Sequence, residues 1–160
     1  MIGLDTSFLL AAEGRHGVAK WRVAGAVLRN VAADELIVPA QAMAEMLQAL
    51  QRAYGTAPEE AGAIAARWLR ATRSAGITPD VAGAARALGE RSALALEDAL
   101  MIVAAHDAGA RLLLTEDIAP GLAYGALTIV NPFDGARGGP LERLLGAGWS
   151  EPAAERSFSR

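Results

Sequence analysis

The feature that most constrains the fold is an alternation of short apolar runs with long helical patterns. Apolar runs predict strands over IGLD, ELIVP, RLLLTED and LTIVNPF, and GITP reads as a further short strand. One or more helices separate most of these runs, and strands joined through helices pair in parallel. The sequence therefore predicts a layered α/β fold around a mostly parallel sheet.

The intervening segments carry helical spacing and helix-end signals. Val18, Trp21, Ala24 and Leu28 recur at three and four residues in GVAKWRVAGAVLRNVAAD, which predicts an amphipathic helix. Thr6 or Ser7 is the expected cap of a helix through FLLAAE. Further helices are predicted over AQAMAEMLQALQRAY, APEEAGAIAARWLRATRSA, DVAGAARALGER and ALEDALMIVAAHDAGA.

Length and composition set the class of protein. The 160 residues suit one domain, predicted over 1–134, with a partly loose C-terminal extension over 135–160 where Gly, Pro and charge dominate. No cysteine is present, which excludes disulfides, thiolate metal sites and cysteine nucleophiles. The absence of a basic leader and of a membrane-length apolar run predicts a cytoplasmic protein without a membrane partner.

Acidic residues fall where strands of such a sheet would end. Asp5 closes the first strand, Glu116 and Asp117 close RLLLTED, and Glu45 and Asp98 lie early in predicted helices. Strand carboxyl ends and the following helix starts share one edge of a parallel sheet, where ligands usually bind. We therefore expect acids from distant parts of the chain to meet at that edge.

Clustered carboxylates repel one another and need a compensating cation. Oxygen ligands without nearby histidine or cysteine favour Mg²⁺ or Mn²⁺, the ions that support phosphoryl transfer. Each acid also has a purely structural interpretation. Asp5 could cap a helix, Glu45 could be solvated, Asp98 could favour a helix dipole, and Glu116 and Asp117 could form a polar turn.

The stretches IGLDTSFLL, VPAQAMAEMLQAL, EDALMIVAAHDAGARLLLTED and TIVNPF resemble the PIN-domain ribonucleases, in particular the VapC-type toxins of toxin–antitoxin pairs. The resemblance covers residues 1 to about 134 in family order. It implies a three-layer α/β/α sandwich and a Mg²⁺- or Mn²⁺-dependent endoribonuclease.

The resemblance also implies the site residues. Asp5, Glu45, Asp98 and Asp117 match the family's acids, as catalytic residues and metal ligands. Periodicity does not separate Glu97 from Asp98 or Glu116 from Asp117, and Glu116 remains a possible further ligand. Hydroxyls that orient the substrate are expected at three positions: Thr6, Ser7 and Thr115.

The implied partners are RNA, a cognate antitoxin protein and a second copy of the chain. Phosphate contacts are expected from basic residues of the first long helical region, although a solvated helix face explains them equally well. They are Arg15, Lys20, Arg22 and Arg29. No general-base histidine is required, so neither His16 nor His106 is expected to act as a base, and His106 is expected to be structural.

Two other classes of α/β protein with an acidic edge require sequence features that this chain lacks. A receiver domain needs a lysine after a late strand, yet Lys20 is the only lysine, and a haloacid-dehalogenase-type phosphatase needs two aspartates one residue apart after the first strand. Two alternatives remain open. One is a catalytically silent PIN-fold protein that binds RNA or a partner, and the other is a PIN nuclease of RNA processing or decay.

Overall fold

The computed structural model describes residues 1–134, so the predicted extension over 135–160 lies outside the described residues. The six helices of this part are α1 (Thr6–Ala12), α2 (Val18–Asn30), α3 (Ala40–Arg52), α4 (Pro58–Ala71), α5 (Pro79–Ser92) and α6 (Leu96–Asp107). The strands are β1 (Ile2–Leu4), β2 (Leu36–Pro39), β3 (Arg73–Ala75), β4 (Leu112–Leu114), β5 (Ala123–Tyr124) and β6 (Leu127–Val130).

The strands form one sheet in the order β3-β2-β1-β4-β6-β5. Every neighbouring pair is parallel except β5 with β6, so the sheet is mostly parallel with one antiparallel edge. All residues of β1 and β2 are buried, as expected for central strands covered on both faces. The predicted three-layer α/β/α architecture is confirmed.

The third strand lies at a different place from the prediction. GITP is not a strand, because β3 occupies Arg73–Ala75 and pairs with β2 through Ser74 opposite Val38. Thr78 instead caps α5 by accepting from the Val81 N–H at 3.2 Å. Only Ala75 of β3 is buried. A short polar edge strand of this kind has no hydrophobic alternation that a sequence could display.

The apolar stripe predicted on α2 is only half correct. Ala24 is buried and Leu28 packs against the core, but Val18 is 59% exposed and Trp21 is 52% exposed. The buried face begins at Val23 and continues through Val27. The first turn of α2 therefore contributes nothing to the core, and its apolar side chains lie at the surface.

None of the helices within residues 1–134 is both long and apolar enough to cross a membrane.

Candidate metal centre

Asp5 lies at the junction of β1 and α1. Its backbone N–H donates to Leu114 O on β4 at 3.1 Å, and its side chain accepts from the Thr6 N–H as the N-cap of α1. The predicted cap at Thr6 or Ser7 is therefore wrong by one or two residues. The Thr115 hydroxyl also donates to the Asp5 carboxylate, and Ser7 Oγ lies 3.4 Å from Oδ2.

Burial dominates the chemistry of Asp5, which is only 3% exposed. Loss of solvation raises the pKa of its carboxyl from 3.8 to about 6. The hydrogen bonds from Thr115 and Thr6 act in the opposite direction, and the negative charges of Asp117 and Glu45 raise the pKa further. Asp5 is thus a carboxyl poised near neutrality, and two other acids lie close enough to influence it.

Glu45, on the second turn of α3, is held at both oxygens. Thr6 Oγ1 donates to its Oε2 at 2.7 Å, and Gln41 Nε2 donates to its Oε1 at 2.7 Å. Thr6 therefore connects two acids, because its backbone N–H bonds Asp5 and its hydroxyl bonds Glu45. We did not predict Gln41, although its position one helical turn before Glu45 is a signal that could have identified it.

Asp98 lies in the first turn of α6. Partial burial raises the pKa of its carboxyl, and the negative charges of Glu45, Asp117 and Glu97 raise it further. The neighbouring Glu97 is exposed, whereas Asp98 is half-buried. The structure therefore distinguishes two neighbours that the periodicity of an almost entirely apolar helix left equivalent.

Asp117 and Glu116 follow β4 but have different surroundings. The Asp117 N–H donates to Thr115 Oγ1 at 3.1 Å, and its charge raises the pKa of both Asp5 and Asp98. The Glu116 carboxylate is instead paired with Lys20 of α2, and its Oε1 lies 3.3 Å from His16 Nδ1. Glu116 is thus neutralised by a cation, whereas Asp117 adds to the repulsion among the acids.

Glu97 acts on Asp98 from an exposed position, and the four acids predicted for the site, from four separate parts of the chain, are linked by the same repulsion. They are Asp5, Glu45, Asp98 and Asp117. The donor set is all oxygen, and its mutual repulsion is what a hard divalent cation would relieve, so the chemistry fits Mg²⁺ or Mn²⁺. As the side chains stand, however, no three Asp, Glu or His residues within 1–134 converge closely enough to hold an ion.

The three predicted hydroxyls contact acids. Thr115 donates to Asp5 and Thr6 donates to Glu45, while Ser7 Oγ accepts from the Glu116 N–H at 3.3 Å. Thr115 and Thr6 thus hold the carboxylates of Asp5 and Glu45, whereas Ser7 holds the backbone at Glu116.

The basic residues and histidines have mixed placements. Arg15 Nη2 lies 3.4 Å from Thr56 Oγ1, and its guanidinium lies 5.7 Å from the Tyr54 ring centre. Arg22 is half-buried and Arg29 is exposed. His106 packs edge-on against Tyr124, with ring centres 5.0 Å apart. Lys20 is paired with Glu116, so its charge lies at the acidic edge.

A cavity of about 410 Å³ lies elsewhere, at the far end of α1 from Asp5. Ala12 and Trp68 line it, and Glu13 there accepts from Arg67 at 2.6 Å and from Trp68 Nε1 at 2.9 Å. It contains none of the four acids, so the cavity and the candidate metal centre are separate features.

A mostly parallel sheet with acids gathered at its carboxyl edge defines an α/β protein of the PIN-like class. The chain belongs to the PIN-domain family, whose model matches residues 2–119. This is a family of nucleases. No curated protein matches the chain by sequence.

Solved structures share the fold. Mycobacterium tuberculosis VapC20, described as a toxin that cleaves the sarcin–ricin loop, has a TM-score of 0.60 at 22% identity, covering 71% of this chain and 87% of VapC20. A toxin–antitoxin complex from Klebsiella pneumoniae has a TM-score of 0.62 at 19% identity, covering 82% of this chain and 98% of that one. The similarity to these two toxin systems is one of fold.

Proposed function

We propose that this chain is a divalent-metal-dependent endoribonuclease and the toxin of a toxin–antitoxin pair. The observation that carries the proposal is the buried Asp5 at the carboxyl edge of the sheet, with Glu45 linked to it through Thr6 and Asp117 linked to it through Thr115. Membership of the PIN-domain family supports the nuclease class, and the two structural neighbours support the toxin class.

In this proposal Asp5, Glu45, Asp98 and Asp117 hold Mg²⁺ or Mn²⁺. The bound ion supplies the charge that activates water and neutralises the phosphodiester. Asp98 and Asp117 are less buried than Asp5, so they are the side chains that would turn to complete the site. Glu116 is not assigned as a ligand, because Lys20 already pairs with it.

The hydroxyl groups have a supporting role. Thr115 fixes Asp5 and Thr6 fixes Glu45, and Gln41 fixes the second oxygen of Glu45. Preorganised carboxylates lose less freedom when a cation binds, so these three residues favour binding through the acids rather than through contact with RNA.

Calorimetric titration of Mn²⁺ and Mg²⁺ tests the metal site. Asp98→Asn should abolish or strongly weaken binding, whereas Glu97→Gln removes the same charge one residue away from an exposed position and should preserve it. RNA cleavage should follow the same order. If the wild-type chain binds no ion at millimolar Mn²⁺, the metal-dependent mechanism is wrong.

A catalytically silent PIN protein is the second candidate. It is favoured by the finding that no three acidic or histidine side chains in residues 1–134 already converge on one point. Metal binding without RNA cleavage, or neither activity, would bring this candidate forward.

The toxin assignment has its own test. Induced expression of the wild-type chain should arrest bacterial growth, and Asp98→Asn should not. Growth arrest that a small partner protein reverses supports the proposed antitoxin. RNA cleavage without growth arrest would instead indicate a processing or decay nuclease. The proposed second copy of the chain is tested by the mass of the purified protein in solution.

A further inference from the structure

Lys20 is the only lysine of the chain and lies on the first turn of α2. Its ammonium group donates a hydrogen bond to Glu116 Oε2, and Glu116 is the residue directly before Asp117 in the sequence. The side chain retains 34% of its exposure. A cation is therefore present at the margin of the acidic group and still reaches solvent.

Aromatic packing supports the position of this cation. Lys20 Nζ lies 5.4 Å from the ring centre of Phe133, a cation–π distance. Phe133 stacks in turn on the fully buried Phe8, with ring centres 6.3 Å apart and an angle of 20° between the rings. Lys20 is thus seated between Glu116 and a ring that rests on the core, which restricts an otherwise flexible side chain.

The ammonium group has more donors than its known partner uses. It carries three N–H groups, and the bond to Glu116 takes one of them. The ring face of Phe133 attracts the charge without accepting a conventional hydrogen bond. The remaining donors suit the oxygens of a phosphate that approaches from solvent.

Electrostatics explain why such a cation is needed. The chain has a formal net charge of −3, and the four coupled acids repel a phosphodiester. The net charge favours no overall attraction to RNA, so a cation beside the acids would add to the neutralisation that a bound metal ion supplies. We propose that Lys20 binds a backbone phosphate of the RNA beside the acidic site, which rests on the ribonuclease function proposed above.

Direct RNA binding tests the inference. The binding of a labelled single-stranded RNA is measured by fluorescence anisotropy. All variants carry Asp98→Asn, which removes the proposed catalysis and so prevents cleavage of the RNA. Lys20→Gln in that background should weaken binding about three- to tenfold and reduce the slope of log K against log salt by about 0.7. Lys20→Arg should retain most of the affinity.

Two matched variants separate a phosphate contact from a structural ion pair. Arg111→Gln removes one positive charge at the amino end of β4, the opposite edge of the sheet, and should leave affinity unchanged. Glu116→Gln frees Lys20 from its partner, so RNA affinity should be maintained or increased. If Lys20 served only to pair with Glu116, both Lys20→Gln and Glu116→Gln would weaken binding alike, and the inference would be overturned.

Failure of this inference differs from failure of the proposed function. If Asp98→Asn binds RNA, and adding Lys20→Gln changes neither the affinity nor the salt slope, only the Lys20 contact is overturned. If wild type neither binds nor cleaves RNA, the ribonuclease proposal and the Lys20 contact both fall. Because Lys20 is the only lysine, amine acetylation read by mass spectrometry adds a second measure, and bound RNA should protect Lys20.

Discussion

Replacing Asp5 by Asn should stabilise the folded chain at neutral pH when no divalent ion is present. Burial raises the pKa of Asp5 from 3.8 to about 6, so the folded state binds a proton more tightly than the unfolded chain does. The stability that protonation contributes is fully present below pH 3.8 and is lost as pH rises through about 6. Asn is neutral at every pH and avoids that loss.

The size of the effect follows from the two pKa values. The difference between 3.8 and about 6, at about 1.36 kcal/mol for each pKa unit, corresponds to about 3 kcal/mol as an upper figure. Asn preserves the geometry, because its oxygen still accepts from the Thr6 N–H and its amide can donate to Thr115. For a domain of this size, the gain in Tm at pH 8 is roughly 6–12 °C.

Thermal unfolding in a chelator, followed by circular dichroism from pH 4 to 8, measures this effect. The advantage of Asp5→Asn should be largest at pH 8 and should disappear near pH 4. Asp34→Asn, the same substitution at an exposed side chain, controls for loss of one charge. If Asp5→Asn is less stable than wild type by the same amount at every pH, hydrogen bonding outweighs burial at Asp5 and the reasoning is refuted.

Three further predictions concern stability in chemical denaturation. Gly3→Ala should lower the free energy of unfolding by about 1–3 kcal/mol, because a Cβ there would lie 3.0 Å from Leu113 Cδ1 and 3.1 Å from Ala105 Cβ. In the control Gly62→Ala, the new Cβ meets no atom within 4 Å, so this substitution should stabilise α4 by about 0.5–1 kcal/mol. Equal effects of the two substitutions would contradict the close packing of β1. Thr115→Val should cost about 1–3 kcal/mol at pH 8 and less at pH 4, because it removes a hydroxyl bond to the Asp5 carboxylate, and a loss independent of pH would argue against that bond. Met46→Ala should cost about 2–5 kcal/mol, because the side chain is fully buried, and a cost below 1 kcal/mol would show that the core around α3 can collapse.

The sequence was sufficient to predict elements whose burial is strong and local. β1, β2, β4 and β6 are apolar runs in a covered sheet, and the parallel pairing of β1 with β2 and with β4 follows from the helices between them. The parallel pairing of β4 with β6 does not, because only β5 lies between them. β3 was misplaced and β5 was missed, because both are edge strands of two or three residues with little burial. Their positions depend on pairing with a neighbouring strand, which no local pattern records.

The same division applies to the candidate site. The edge at which Asp5 and Asp117 would meet followed from topology, because Asp5 comes directly after β1 and Asp117 lies three residues after the end of β4. Glu116 differs from Asp117 through a tertiary contact, because it pairs with Lys20, which lies ninety-six positions earlier in the chain. The hydrogen-bond donors around Asp5 and Glu45 likewise come from different elements, so no spacing rule could assign them.

The acidic edge supports the cation site proposed above, because the fold does not require it. A cap on α1 needs only one short polar side chain, and Asn, Ser or Thr at position 5 would provide it without a buried charge. The chain instead places a carboxylate there with two further acids that raise its pKa, while Thr115 and Thr6 only partly offset this. An arrangement that lowers stability at neutral pH and preserves carboxylate geometry is what a cation-binding site requires. Glu116 fits the same reasoning, because Lys20 pairs with it and it does not act on the pKa of Asp5 or Asp98.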